Sequence, residues 1–477
     1  MPHTRVKIVA TVGPASRPPA RLRELIAAGA DVLRVNGAHA PPDSLAAFVA
    51  DARRAARGLR REIAVLLDLP GVKVRIGRVP GGSVELLRGD PVRLARSAAR
   101  GTNGVVVLPA PRSVLVAARP GGEVLLADGN VVLEVVSRSR TGVMCRATTG
   151  GVVRDRTGIH LRGARHRGPV LLALDHRLAL AGVAAGVDAI AISFVRGPED
   201  VRGLRRRLEA RASRVPLLVA KIERREAVER LDEVLGAVDG VMVARGDLGL
   251  EYGPEEVPGL QKRILETASR HGRLAITATQ MLETMTTAVR PTRAEASDVA
   301  NAVFDGTDAV MLSGETAVGA HPAHVVATMD RILRAAEQDP HCPYAGDPSH
   351  PCPAADPARP DRLVVRAAVR LAQDARAAAV VVFTRGGQSA RRMAKERPRA
   401  PIYAFAHEVD VLRGLQLSWG VRPRLLTEQA ARGRIVAAVR ASLRRDGLLK
   451  PGERVVLVMG AKDDPTGTTT LIRLLTV

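Results

Sequence analysis

Lys221 and Glu223 stand two residues apart at the end of an apolar run that reads as a buried strand. Residues two apart on a strand project from the same face, so one face carries an ammonium and a carboxylate. Asp247 follows the next apolar run and can supply a second carboxylate to the same place. Magnesium, or manganese in its place, commonly takes one or two carboxylates, so Glu223 and Asp247 predict a divalent metal site. The alternative is a structural ion pair between Lys221 and either carboxylate.

Gly246 and Thr279 have the chemistry to act on a small anion beside this metal site. Gly246 precedes Asp247, and a short helix beginning there would direct free backbone amides at a carboxylate or phosphate. A glycine turn with an N-cap aspartate is the alternative. Thr279 follows another apolar run, where its hydroxyl can relay a proton. Threonine is also common in strands for packing reasons alone.

Short apolar runs that alternate with longer helical patterns predict the elements that carry these residues. Eight of them read as buried parallel strands, which is typical of a TIM-type (βα)8 barrel with its active site in the loops after the strands. The predicted strands span residues 5–13, 31–36, 63–69, 188–194, 217–222, 240–244, 274–278 and 308–312. Polar side chains stand at seven strand ends: Arg34 with Asn36, Asp68, Ser193, Lys221 with Glu223, Arg245 with Asp247, Thr279 with Gln280, and Ser313 with Glu315. Their convergence predicts one active site at this end of the barrel.

The barrel pattern is interrupted once and is followed by a further domain. Residues 72–166 change to hairpin-like alternation with turn signals, which predicts an inserted small β domain. The barrel domain then comprises residues 1–71 and 167–340. Residues 341–360 are rich in Pro, Ala and Asp and predict a linker, and residues 361–477 predict an open-sheet α/β domain. The strands predicted in that domain lie at residues 380–383, 402–405, 424–426 and 455–459.

The net charge of +23 favours a phosphate-rich partner. The arginines are scattered over helix faces and only 2% of residues are aromatic, so few side chains could stack on nucleic-acid bases and we expect no nucleic-acid partner.

No apolar run approaches the ~18 to 20 residues of a membrane span, and no signal peptide is readable, so we expect a cytoplasmic protein without a membrane partner. Cys145, Cys342 and Cys352 predict free thiols rather than disulfides or a zinc site.

Five longer stretches resemble the pyruvate kinase family, and the resemblance extends over nearly the whole chain. They are KIVATVGPAS, LLVAKIERREAV, GVMVARGDLGLE, ITATQMLETM and RPTRAEASDVANAVFDGTDAVMLSGETA. The resemblance implies a glycolytic enzyme that transfers the phosphoryl group of phosphoenolpyruvate to ADP, giving pyruvate and ATP. It also implies a mobile β-barrel lid in the inserted domain, a regulatory C-terminal domain and a homotetramer. The alternative is a weakly active or inactive paralogue that serves as a metabolite sensor or partner protein.

The resemblance assigns roles to the residues at matching positions. Glu223 and Asp247 would hold the metal, Lys221 would neutralise the phosphoryl group during transfer, and Arg34 would bind the phosphate. The amides of Gly246 and Asp247 would hold the pyruvate carboxylate, with Thr279 beside the enolate carbon. The nucleotide side would be formed by Asn36, His39 and Arg75.

Two departures from the family pattern concern cations. The monovalent-cation region comprises Asn36, Asp68 and Lys73, and Ala38 stands where the family has a serine that helps to bind potassium. Lys73 resembles the lysine of family members that need no potassium. In those members the lysine ammonium can replace the charge of the ion. We therefore predict potassium-independent activity; the alternative is a solvated lysine at a hinge.

Two further departures concern the nucleotide. The family's lid lysine is replaced by Thr157, and the lysine after the Ser-Gly-Glu-Thr-Ala run is replaced by Val318. We therefore predict a weaker hold on the nucleotide, with Arg154, Arg156 or Arg162 as candidates to compensate.

A glycine-rich turn in the C-terminal domain follows a predicted strand and opens a helix. Its residues are Thr384, Gly386, Gly387, Gln388 and Ser389. Successive amides in such a turn can cradle a phosphate, so the turn predicts a site for a phosphorylated allosteric effector. An ordinary strand-to-helix turn is the alternative.

Overall fold

The fold is taken from a computed structural model that describes residues 4–97, 104–165, 168–342, 344, 360–426, 435–460 and 469–477. The chain begins with three strands, β1 Lys7–Val12, β2 Val32–Asn36 and β3 Ala64–Leu69. Helices α1 Pro19–Ala28 and α2 Leu45–Arg57 separate them, and α1 has proline in its first turn, where the missing N–H costs nothing.

The inserted domain is built from short strands with alternating burial. The strands are β4 Ser83–Leu86, β5 Pro91–Ala95, β6 Val106–Pro109, β7 Glu123–Leu126, β8 Val131–Arg138, β9 Val143–Ala147, β10 Gly151–Arg154 and β11 Ile159–Leu161, with helix α3 Arg112–Ala117 after β6. The larger sheet has six strands in the order β11-β7-β8-β9-β5-β6, and β10 and β4 form a second sheet of two strands. Valine and leucine on the inner faces form a separate hydrophobic core. The predicted small β domain is confirmed.

After the insertion the chain returns to the barrel with five more strands. They are β12 Ala189–Ile192, β13 Leu217–Ile222, β14 Gly240–Ala244, β15 Leu274–Ala278 and β16 Ala309–Leu312. All eight strands are parallel and form a closed barrel of order β1-β16-β15-β14-β13-β12-β3-β2, which confirms the predicted architecture. The barrel interior is filled by small and branched side chains, including Ala64, Ala191 and Val219.

The helices of this second part pack outside the barrel. They are α4 Ala173–Ala185, α5 Pro198–Glu209, α6 Arg225–Glu229, α7 Leu231–Ala237, α8 Arg245–Tyr252, α9 Val257–Arg270, α10 Arg293–Phe304, α11 Gly314–Ala317 and α12 Pro322–Gln338. Helix α10 begins with a capping box, in which Thr292 Oγ1 accepts from the Glu295 N–H and the Glu295 carboxylate accepts from the Thr292 N–H. No helix among the described residues has the length and apolar character needed to cross a membrane.

The C-terminal domain is an open sheet with helices. Its strands are β17 Ala379–Phe383, β18 Ile402–Ala406, β19 Val421–Leu425, β20 Arg454–Met459 and β21 Leu471–Thr476, and its helices are α13 Pro360–Asp374, α14 Gln388–Lys395, α15 Val409–Gly414 and α16 Ile435–Arg445. The strand order is β19-β18-β17-β20-β21. Four strands are parallel, and β21 runs antiparallel to β20. The strand predicted at 424–426 begins three residues earlier, and Pro423 is tolerated there because β19 is an edge strand.

Two parts of the sequence predictions lie outside the described residues. Most of the linker predicted at residues 341–360 falls there, and so does Cys352. Cys145 and Cys342 are buried free thiols, as expected.

Candidate active site

Lys221 and Glu223 stand at the C-terminal end of β13 in direct ionic contact. The Lys221 ammonium lies 2.9 Å from Glu223 Oε1 and 3.5 Å from Asp68 Oδ1, and it donates to Ser193 Oγ at 2.9 Å. Glu223 Oε2 accepts from the Phe194 N–H at 2.7 Å. Oε1 is buried and faces the Lys221 ammonium. The two side chains share one face, as their spacing predicts.

The charges of this cluster act on one another. Burial acts to lower the pKa of Lys221, but the carboxylates of Asp68 and Glu223 outweigh it and hold the pKa above its ordinary value. The side chain is therefore an ammonium at neutral pH. Burial raises the pKa of Glu223, and although Lys221 opposes this, the charge of Asp247 adds to it. A further cation between Glu223 and Asp247 would relieve that repulsion.

Asp247 and Gly246 lie in the first turn of α8, so the short helix expected after β14 is present. The expectation of a free amide at Gly246 is wrong, because its N–H donates to Thr279 Oγ1 at 3.0 Å. The threonine hydroxyl in turn donates to the Ala278 carbonyl at 2.6 Å. The hydroxyl is thereby fixed against the N-terminus of α8.

Thr279 is not an ordinary strand residue. It follows β15 with φ of 68°, and Gln280 has φ of 53°. The left-handed region is strained for a β-branched residue, at a cost on the order of 1–3 kcal/mol. The Arg245 guanidinium supports this turn, since it donates to the carbonyls of Thr279 and Gln280 and pairs with Asp298 at 2.6 Å. Sequence reasoning placed Arg245 at a strand end but gave it no role.

Arg34 is oriented by two neighbours at the ends of adjacent strands. Its Nε donates to Asp68 Oδ2 at 2.8 Å, Nη2 lies 2.7 Å from the same oxygen, and Nη1 donates to Thr11 Oγ1 at 2.9 Å. Burial acts to raise the pKa of Asp68, but Lys221 and Arg34 outweigh it and hold the pKa below its usual range. Asp68 therefore joins the two cations. The sequence prediction had placed Asp68 only in the monovalent-cation region.

A cavity of about 720 Å³ lies beside Arg34. Asn36 and His39 line it, and so does Val318, which stands where the family has a lysine. Arg75 is not among the lining residues. Its Nη1 donates to the Arg156 carbonyl at 3.0 Å, so the structure gives it a contact in the inserted domain instead.

Lys73 lies between Asp128 of the inserted domain and Asp247 of the barrel domain. Its ammonium is 3.0 Å from Asp128 Oδ1 and 4.0 Å from Asp247 Oδ1. Asn36 and Asp68, the other members of the predicted monovalent-cation region, face each other across β2 and β3. The positive charge of Lys73 therefore lies beside the Asp247 carboxylate.

The three arginines proposed to replace the missing nucleotide lysine all lie in the inserted domain. Arg162 Nε donates to the Leu250 carbonyl at 3.2 Å, and its Nη1 pairs with Glu123. The Arg156 carbonyl accepts from Arg75. Arg154 is exposed. The contacts of Arg162 therefore run to α8 and within the inserted domain, not to the cavity beside Arg34.

The glycine-rich turn predicted as an effector site lies between β17 and α14. The Gly387 N–H donates to Thr384 Oγ1 at 3.0 Å, and Ser389 Oγ shares a hydrogen bond of 2.7 Å with Thr469 Oγ1. Gly387 has φ of 82°, which suits glycine, and Gly386 and Gln388 flank it at the start of α14. One amide of the predicted cradle is therefore already engaged within the turn.

Known proteins resemble this chain along its whole length. The family model described as pyruvate kinase, barrel domain, matches residues 3–326, and the model described as pyruvate kinase, alpha/beta domain, matches residues 362–475. The pyruvate kinase of Methylorubrum extorquens is 37% identical over 473 residues, which cover 98% of this chain and 97% of the relative. That of Mycobacterium tuberculosis is 38% identical over 471 residues, covering 98% of both. The crystal structure of a pyruvate kinase from Cryptosporidium parvum matches with a TM-score of 0.88 at 29% identity, covering 99% of this chain and 96% of that one. The chain therefore belongs to the pyruvate kinase family and is a phosphotransferase.

Proposed function

We propose that this protein transfers the phosphoryl group of phosphoenolpyruvate to ADP, giving pyruvate and ATP in glycolysis, with magnesium or manganese as its metal. The observation that carries the proposal is the buried contact between Lys221 and Glu223, next to Arg34 and Asp247. These residues supply two cations for a phosphoryl group and two carboxylates for a metal ion.

The carboxylates fit a magnesium ion. The Glu223 carboxylate is buried, and its neighbour Asp247 adds a second negative charge that Lys221 alone does not offset. Among the described residues, no group of three or more His, Cys, Asp and Glu side chains is placed to hold a metal. Two carboxylates suit magnesium, which usually keeps its other positions for water and substrate oxygens. When bound, the ion would neutralise charge on the phosphoryl oxygens.

Arg34 and Lys221 would stabilise the negative charge of the phosphoryl group during the transfer. In the reaction the bond between the phosphorus and the enol oxygen breaks, and a bond to a terminal oxygen of ADP forms. Catalysis of such a step rests on in-line positioning and on charge stabilisation of the equatorial oxygens. Asp68 orients both cations before substrate binds, so little reorganisation is needed during transfer.

The enolate left by the transfer takes up one proton at its methylene carbon. Thr279 would relay that proton: its hydroxyl, which now donates to the Ala278 carbonyl, would turn to the enolate carbon and take a replacement proton from water. Arg245 would act as a positioning residue that keeps the strained backbone of Thr279 in place. Since the Gly246 amide is engaged, the carboxylate of the substrate would meet the Asp247 amide first.

ADP would occupy the cavity that Asn36 and His39 line beside Arg34. Arg75 would join the nucleotide site only if its side chain left the Arg156 carbonyl, to which its guanidinium now donates within the inserted domain. Lys73 supports a potassium-independent reaction, since an ammonium already lies 4.0 Å from Asp247. We also propose a cytoplasmic homotetramer in which the turn at residues 384–389 binds a phosphorylated effector.

A weakly active paralogue is the second candidate. It is favoured by the contacts of Arg162, which run to Leu250 and Glu123 and leave the missing lid lysine without a replacement from this residue. Phosphorus NMR of a mixture of phosphoenolpyruvate, ADP and magnesium separates the two candidates. Growth of the ATP signals at the expense of phosphoenolpyruvate, dependent on enzyme, supports the first; an unchanged spectrum supports the second.

A further inference from the structure

The inserted domain docks on the last turn of α8 through a buried cluster of His160, Glu251 and Arg224. His160 belongs to the inserted domain, and the other two belong to the barrel. His160 Nε2 lies 3.7 Å from Glu251 Oε2, and Arg224 Nη1 lies 2.8 Å from Glu251 Oε1 and 3.4 Å from His160 Nδ1. Their side chains are only 12%, 2% and 7% exposed, respectively. The contact is therefore sealed from water.

A second contact lies next to this cluster. Arg162, two residues further along the inserted domain, donates from Nε to the Leu250 carbonyl at 3.2 Å. Glu123 of the same domain holds the other end of the guanidinium, so the arginine is fixed at both sides. Two side chains of the inserted domain thus hold two consecutive residues of α8, Leu250 and Glu251.

Helix α8 connects these contacts to the proposed active site. Its first turn carries Gly246 and Asp247, and its last turn carries Leu250 and Glu251. At a rise of about 1.5 Å per residue, the two ends of this short helix lie only about 6 to 8 Å apart along its axis. Docking of the inserted domain therefore constrains the same rigid element that bears Asp247.

We propose that His160 and Arg162 are positioning residues that hold the inserted domain closed over the active site by fastening it to α8. Removing this hold would leave the barrel intact but let the lid open more often, admitting water and loosening the bound substrates. The inference rests on the proposed function, because it takes phosphoryl transfer to occur while the inserted domain is closed.

Truncating His160 tests docking of the inserted domain without disturbing the folding of the barrel. Arg224 stays paired with Glu251 when His160 is removed, and it packs over the Phe194 ring at 4.9 Å. No buried charge is left alone by truncating His160, so the barrel keeps its own contacts. Burial acts to raise the pKa of Glu251, but His160 and Arg224 outweigh it and lower the pKa, which keeps the carboxylate charged.

The test compares His160→Ala and Arg162→Ala with the native enzyme by hydrogen exchange and steady-state kinetics. Arg138→Ala is the matched control, because it removes an arginine of the inserted domain that donates to a carbonyl of that same domain, Val116 O at 2.8 Å. His160→Gln keeps a hydrogen-bonding side chain and serves as the conservative variant.

We expect exchange of β11 and of the last turn of α8 to rise about tenfold in both alanine variants, while β1 and β16 stay protected. We also expect KM for phosphoenolpyruvate to rise about tenfold with a smaller change in kcat, and His160→Gln to recover most of the loss. Unchanged exchange in β11 would overturn the proposal. So would a rise that spreads equally through the barrel strands, because the contact would then be structural. Exchange does not require turnover, so an inactive native enzyme would contradict the proposed function without affecting this result.

Discussion

Glu223 Oε1 lies 2.9 Å from the Lys221 ammonium, and the Glu223 carboxylate is buried. Burial of a carboxylate costs free energy unless cations compensate its charge, and the negative charge of nearby Asp247 adds to that cost. In this place, beside Asp247, the ligand that compensates the charge best is a divalent cation.

The first prediction follows from this oxygen. Glu223→Gln replaces a charged ligand by a neutral amide, and we expect manganese to bind at least about tenfold more weakly, by analogy with losses at metal-site partners. Electron paramagnetic resonance of free manganese measures binding directly and needs no turnover. Glu256→Gln, at an exposed position of similar type, is the control and should bind as the native protein does. Equal affinity in Glu223→Gln would exclude Glu223 as a ligand.

The second prediction concerns potassium. Because the Lys73 ammonium already lies near Asp247, we expect turnover with and without potassium to agree within about twofold at constant ionic strength, with tetramethylammonium as the balancing ion. Lys73→Gln removes that charge and should make turnover respond to potassium. A many-fold rise of native turnover on adding potassium would contradict the account.

The third prediction tests the junction between the barrel and the C-terminal domain. The ammonium of Lys395, at the end of α14, pairs with Asp308, and both are buried. Lys395→Met leaves a buried carboxylate that still contacts Arg397 at 3.1 Å, so we expect a loss near the lower end of the usual range, about 3 kcal/mol. Thermal unfolding measures it, with Lys450→Met as the exposed control. Equal melting temperatures for the two variants would show that the pair adds no stability.

The fourth prediction concerns Cys145, whose pKa is raised by burial to about 12. An unfolded thiol ionises near pH 8.5, so at pH 8 the folded thiolate fraction is smaller by roughly 10³, and alkylation should be slower by a similar factor. Peptide mapping after iodoacetamide treatment, with and without denaturant, measures this. Because the folded pKa lies above the unfolded one, this thiol makes the native state less stable as pH rises from about 8.5 toward 12. Rapid alkylation of native protein would contradict its burial.

Strand positions and shared faces were predictable because they depend on local periodicity. The alternation of apolar runs gave all eight barrel strands, and the spacing of Lys221 and Glu223 placed both at one site. The strand β21 was missed because its side chains are mostly exposed and lack the buried pattern of the others.

Contacts between distant segments were not predictable from spacing. The Gly246 amide is engaged by Thr279, 33 residues away, and the Arg245 guanidinium holds the carbonyl of Thr279 at a similar separation. Arg75 contacts Arg156, 81 residues away, because an antiparallel pairing of Arg75 with Gly158 brings the two together, which no local pattern encodes. A positive φ at Thr279 likewise has no signal in residue type, since threonine rarely adopts it.

The most direct test of the account is the rate at which purified protein makes pyruvate from phosphoenolpyruvate, ADP and magnesium, followed by coupling to lactate dehydrogenase. Lys221→Met is the comparison, because it removes the ammonium in contact with Glu223 and Asp68. We predict turnover of about 1 to 10³ s⁻¹ for the native enzyme, in the range typical of enzymes, and a loss of at least about 10²-fold in the variant while its circular dichroism is retained. A native rate no higher than that of Lys221→Met would contradict it.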